Sequence, residues 1–211
     1  MDLLSIGQVT SVVLTDYFAV IVGVVMGALY GAKCDLDVIG AVTTALLTGF
    51  GGGLMRDLLL RDQGIFCMEH PNLILLCIVA AILSWDAGKH LQKMDRLLVP
   101  LDAFSVALFT LAGCGKAWAA GVGCIYTVVL GTITAVGGGA LASVAIARRP
   151  KIATPGDFYA VASLGGALLY AVFMFVGAGE VAAGVACVGG CLLLRWASLK
   201  FNWCTRPPSC E

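Results

Sequence analysis

The sequence predicts an all-α membrane protein: seven transmembrane helices, built as an inverted 3+3 repeat with a seventh helix added. Three observations point there. Hydrophobic residues make up 60% of the 211 and charged ones 12%, with a mean hydropathy of +0.96. A soluble chain of this size leaves roughly a third of its extended surface wet, so it could not hide that much apolar side chain; lipid can accept it. The apolar runs are long and continuous, whereas a lipid-facing barrel would alternate in segments of about ten, and helices satisfy their backbone polar groups within one segment. Finally, the chain matches itself without a gap when slid by 86 residues.

Seven runs approach the roughly 20 residues that cross a bilayer. They span residues 12–30, 38–60, 72–87, 97–116, 121–147, 158–176 and 181–199. The first is read as a retained span, because Asp2 replaces a basic leader region and no cleavage site follows. The second and fifth are long and contain a triple glycine, Gly51–Gly53 and Gly137–Gly139. The third is short, and Glu69, His70 and Pro71 mark its entry. Lone cysteines such as Cys77, Cys114, Cys124, Cys187 and Cys191 read as small hydrophobes. Cys204 and Cys210 lie in a polar tail open to modification.

Basic residues set the orientation. Ten of the thirteen fall on the face that receives the C-terminus, and Arg56, Arg61 and Lys116 fall on the other. The positive-inside rule then places the N-terminus outside and the C-terminus in the cytoplasm of a multi-pass cell-membrane protein.

The duplication carries Asp16 onto Asp102, Phe18 onto Phe104, Gly27 onto Gly113, Thr48 onto Thr134 and Gly51–Gly53 onto Gly137–Gly139, with ten identities in 45 positions. Three spans per copy is an odd number, so the second copy enters from the opposite face. The expected division is a first repeat with its flanking loop (1–90), an inverted second repeat (91–178), and a seventh helix with a cytoplasmic tail (179–211). Inverted repeats belong mainly to transport proteins, often with broken helices near the bilayer centre.

Two readings of the glycines stand side by side. Each glycine costs about 1 kcal/mol against alanine in a helix, so three together suggest a kink or local unwinding that bares carbonyls to a polar path. They also let helices approach closely, as the face Gly23, Gly27, Gly31 does. Thr44, Thr48, Gly52 and Arg56 recur every four residues and would share one helix face. An arginine at the bilayer centre costs roughly 2.5–3.5 kcal/mol, so Arg56 must pair, snorkel or meet water. The topology groups Asp16, Arg56, Asp57 and Lys116 in one outer vestibule, with Asp16–Arg56 a plausible pair. Asp57 and Arg61 also stand at helix spacing and fit a plain helix-end pair. The inner half keeps Asp102 but carries Ala142 and Ser143 where the first copy has Arg56 and Asp57. Thr127, Thr132 and Thr134 supply hydroxyls there, for a polar path or for their own helix.

No HExxH, GxSxG or phosphate-loop lysine pattern occurs. The cysteines lack metal-ligand spacing, and neither a cofactor nor a tightly bound metal is expected. The formal net charge of +0 carries no basic field for nucleic acid. The basic loops could meet anionic lipid, though orientation alone explains them.

The segments TGFGGGLMRDLLL, TAVGGGALASVAI and LDAFSVALFTLAG, with the 3+3+1 layout, resemble the prokaryotic trimeric intracellular cation channels and the related bacterial family labelled with a glycine-transporter domain. The resemblance covers residues 16–176. It implies a homotrimer with one pore per subunit, lined by the first, second, fourth and fifth spans, passing monovalent cations such as potassium. It maps Gly51, Gly52, Gly53, Arg56 and Asp57 to the first glycine motif and Gly137, Gly138 and Gly139 to the second. Many relatives repeat the Arg-Asp pair in the second copy; Ala142 and Ser143 here argue against a symmetric charged gate. With no TVGYG filter and no acidic ring, weak discrimination among monovalent cations is expected. The competing readings are a secondary transporter for glycine or another small zwitterion, and a membrane scaffold without transport.

Overall fold

The computed structural model describes residues 3–61, 64–90, 94–153, 158–201 and 203. Among them the regular structure is entirely helical: α1 (Leu3–Lys33), α2 (Val38–Leu60), α3 (Phe66–Glu69), α4 (Pro71–His90), α5 (Met94–Ala119), α6 (Cys124–Ala145), α7 (Tyr159–Phe175) and α8 (Glu180–Phe201), with a 3₁₀ turn at Lys151–Ala153. Six helices are long and apolar enough to cross a membrane, and α7 is a shorter apolar helix of 17 residues. The seven expected spans are therefore all present, and the short one is α7 rather than the third, which runs the full 20 residues of α4. The four-residue α3 was not expected from sequence. Cys204 and Cys210 lie outside the described residues.

Local chemistry sets several of these boundaries. Asp37 sits in extended backbone before α2 and accepts a hydrogen bond from the Gly40 amide at 2.8 Å, so a free helix-end donor is capped. Pro71 opens α4, where its missing N–H costs nothing. Pro100 lies inside α5 and leaves one rung of the backbone ladder unmade, yet the helix continues on both sides of it.

The first bundle packs α1 against α2 and α4 around Val20, Val24, Ala28, Ala45, Leu73 and Cys77. The second packs α5 to α8 around Cys114, Val128, Ala167, Tyr170 and Cys187. A third cluster, including Ala19, Val106, Phe109, Ala112, Ala135 and Val136, joins the two. The small face of α1 is used for close packing: a Cβ on Gly23, Gly27 or Gly31 would press on Gly49, Ala45 or Ala41 of α2. Large apolar side chains such as Phe18, Leu59, Leu75, Leu83, Phe175 and Leu193 point outward, as lipid allows.

The expected break at the glycines does not occur. α2 runs unbroken through Gly51–Gly53, and α6 through Gly137–Gly139. Helix-on-helix contact takes the place of unwinding. A Cβ at Gly52 would collide with the Thr134 carbonyl of α6, and one at Gly138 would collide with the Thr48 carbonyl of α2. The only arrangement that keeps both ladders intact and lets the two backbones touch here is one without side chains.

Candidate functional site: two polar chambers on either side of a helix crossing

The α2–α6 crossing shows how the two halves relate. Residue 48 meets 138, and 52 meets 134, so the helices run in opposite directions where they touch. A shift of 86 residues turns one contact into the other, which is what a two-fold axis between inverted repeats requires. The same shift relates Gly27, packed on Ala45 and Thr48, to Gly113, packed on Gly131 and Thr134.

On one side of the crossing lies a buried ion cluster. Arg56 is 0% exposed on α2. Its Nη1 and Nη2 donate to the two oxygens of Asp16 on α1, at 2.8 and 3.0 Å, and its Nε donates to Asp57 Oδ1 at 2.8 Å. Nη1 also reaches the Ala112 carbonyl of α5 at 3.3 Å. The Nζ of Lys116 lies 2.9 Å from Asp57 Oδ1, and the Phe66 amide donates to Asp57 Oδ2 at 2.9 Å. Two carboxylates and two cations thus cancel, and the planar guanidinium meets Asp16 in the two-pronged geometry that makes such pairs strong. Asp16, Arg56, Asp57 and Lys116, expected in one vestibule, are brought into a single cluster. The Asp57 carboxylate faces Arg56, Lys116 and the α3 amide.

This cluster borders a cavity of about 10 Å³, also lined by Gly53, Leu54, Cys67 and Phe109. That is room for about one water. The short α3 closes it from the loop side. Phe66 packs edge-on against Tyr17 at 5.3 Å and His70 at 4.8 Å. Burial pushes the Cys67 thiol up from its ordinary value.

On the other side lies a second cavity of about 40 Å³, lined by Thr48, Asp102, Ser105, Gly139, Ser143, Lys151 and Tyr159, among others. Asp102, equivalent to Asp16, has no arginine at the position equivalent to 56. Its Oδ2 instead meets Arg195 of α8 at 3.2 Å and Lys151 of the 3₁₀ turn at 3.0 Å. Arg195, one of the ten basic residues counted on the face of the C-terminus, is only 5% exposed. The signal for it was present: an arginine in the apolar run LLLRWASL needs a buried acid, and Asp102 has no arginine at the position equivalent to 56.

The remaining residues sort by position. Gly53 borders the first cavity and Gly139 the second, at equivalent sites. Gly51, Gly52, Gly137 and Gly138 pack at or beside the helix crossing. Thr44, Thr127 and Thr134 are fully buried and return their hydroxyls to carbonyls four residues back, Gly40, Gly123 and Leu130. Thr48 and Thr132 back-bond likewise, to Thr44 and Val128, but Thr48 also reaches the second cavity. Thr127, Thr132 and Thr134, for which two readings stood open, all make the bond to their own helix, which leaves each hydroxyl oxygen free to accept.

Comparison with known proteins follows this geometry. The family described as "Glycine transporter" matches residues 13–87 and again 99–175, one match for each half. The inner membrane protein YadS of Escherichia coli K12 is 28% identical over 190 residues, covering 89% of this chain and 91% of that protein. A membrane protein of Deinococcus radiodurans is 29% identical over 91% of this chain and 89% of its own length. The trimeric intracellular cation channel orthologue from Rhodobacter sphaeroides superposes with a TM-score of 0.85 at 30% identity, over 92% of this chain and all (100%) of that one. A prokaryotic channel of the same kind, crystallised in 0.5 M KCl, gives 0.81 at 25% identity over 92% of this chain and 98% of its own. The chain with the paired glycine crossing and the buried Asp16–Arg56 cluster is therefore a member of the family that the glycine-transporter description covers and to which the trimeric intracellular cation channels belong.

Proposed function

We propose that this protein is a cation channel that passes potassium and other monovalent cations, with one route per subunit of a homotrimer. The observation that carries the proposal is the pair of polar chambers stacked on either side of the α2–α6 crossing, one at the Asp16–Arg56–Asp57–Lys116 cluster and one at Asp102. Helices α1, α2 and α5 contribute to both linings, and α6 lines the second. A route through that stack needs only that carbonyls, hydroxyls and charges replace water around the ion. The relatives of known structure support this reading, being channels for cations and trimeric by name. With chambers of about 10 and 40 Å³, the conformation described is a closed one.

Repeat boundaries at 1–90 and 91–178, with 179–211 as the added helix and tail, are part of the same proposal. The double family match and the contacts that recur at 86 residues support it. Placement in a bacterial-type inner membrane, which the name of the YadS relative suggests, belongs to the proposal as well. Contact of the basic loops with anionic membrane lipid belongs here too.

Glycine transport is the second reading, and the family description favours it. Against it, the Arg56 guanidinium is already engaged by Asp16 and Asp57, so it offers no two-pronged grip to a substrate carboxylate. Purified protein in proteoliposomes separates the two. Channel activity gives potassium-dependent current in a planar bilayer and no saturable counterflow of labelled glycine. Counterflow without current would replace this proposal with the transporter.

A further inference from the structure

Phe109 lines both chambers. It is buried, sits at the midpoint of the apolar stretch Leu98–Ala119, and belongs to the cluster that joins the two bundles. Its ring lies against Gly23, at the midpoint of Val13–Lys33: a Cβ on Gly23 would stand 2.7 and 2.8 Å from two ring carbons. Gly23 and Phe109 are themselves 86 residues apart, so they are equivalent positions in the two repeats. A two-fold operation maps a contact between two equivalent residues onto itself. Such a contact therefore lies on the axis, and an axis in the membrane plane lies at the bilayer centre. The Gly52–Gly138 contact is another self-mapped pair. The ring thus stands at the one level where the outer and inner chambers could join, beside the helix crossing that fixes that level.

On the reading that the route runs through these chambers, we propose that Phe109 is its hydrophobic gate and that Gly23 is the recess that seats the ring. An apolar ring at a narrow point excludes water, and a dewetted constriction blocks ions without any steric plug of their own size. Gly23 is needed because any side chain there would displace the ring. The inverted repeat supplies the asymmetry: one copy carries the large residue and the other carries the smallest. A strictly symmetric pair of phenylalanines would clash on the axis, and a pair of glycines would leave the chambers joined.

The test is potassium flux through purified protein in proteoliposomes, normalised to folded oligomer by size-exclusion chromatography, for wild type, Phe109→Ala, Phe109→Leu and Gly23→Ala. Phe109→Ala is expected to raise flux severalfold, and Phe109→Leu to raise it less. Gly23→Ala alters flux in the wild-type background and has a much smaller effect in Phe109→Ala, because the ring it disturbs is gone and only the contact with Gly49 remains; this coupling in flux per folded oligomer is the readout that a merely structural role would not give. If Phe109→Ala yields no folded oligomer, the same coupling is read between Gly23→Ala and Phe109→Leu. Wild-type conduction with unchanged flux in the folded Phe109 variants, or additive effects of the two positions, overturns the gate and leaves the channel standing. Silence of wild type and all variants removes the channel and the gate together.

Discussion

Arg56 shows what a membrane charge needs in order to be tolerated. Each arm of its guanidinium has a protein acceptor, from three different helices. Removing one partner of such a buried set leaves the other charged and unpaired, a loss of about 3–5 kcal/mol. Arg56→Ala should therefore lower the unfolding temperature in detergent well below wild type. Arg56→Lys should fall between them, since an ammonium keeps the charge but cannot span both oxygens of Asp16. The need for this cluster was legible in the sequence, because a charge in so apolar a run has few ways to be satisfied. The answering cation for Asp102 was less so. Charge counting placed Arg195 on the face of the C-terminus, and only packing in three dimensions turns α8 so that its arginine faces inward.

Glycine does two jobs along α2 that look the same in sequence. Gly52 is at the backbone contact with α6, while at Gly53 the nearest atom to an added Cβ is Arg56 Nη2 at 3.8 Å. Gly52→Ala should cost at least about 1–3 kcal/mol, as overpacking does. Gly53→Ala should be neutral or slightly stabilising, by up to about 1 kcal/mol, since it fits and favours the helix. Thermal unfolding of the two variants side by side checks this. The number of apolar spans, most of their limits to within three residues, and the 86-residue shift could be read from hydropathy and identity; the four-residue α3 and the start of α1 nine residues before the expected span could not. The unbroken course of α2 and α6 could not. Propensity argues for a break at three glycines, but in lipid an intact ladder is the cheapest way to satisfy the backbone, and the neighbouring helix repays the lost propensity by close contact.

For the whole molecule, the two cavities stand on opposite sides of the α2–α6 crossing, so orientation decides which cluster lies nearer which compartment. The basic-residue asymmetry predicts a cytoplasmic C-terminus. A green fluorescent protein fused at the C-terminus should then fluoresce, and alkaline phosphatase fused there should be inactive; the reverse result would invert every inner and outer assignment made above. With this orientation the Asp16–Arg56 cluster faces outward and Asp102 inward.

Asp102 draws its arginine from α8, an element with no counterpart in the first repeat. The second repeat supplies a cation of its own to this acid, Lys151 at 3.0 Å, but that side chain is half exposed, whereas Arg195 is 5% exposed. With alanine at position 142, the buried share of the neutralising charge comes from the appended helix. A chain ending before Glu180 would leave Asp102 with the half-exposed lysine alone, so the last helix takes part in holding an acid of the duplicated core.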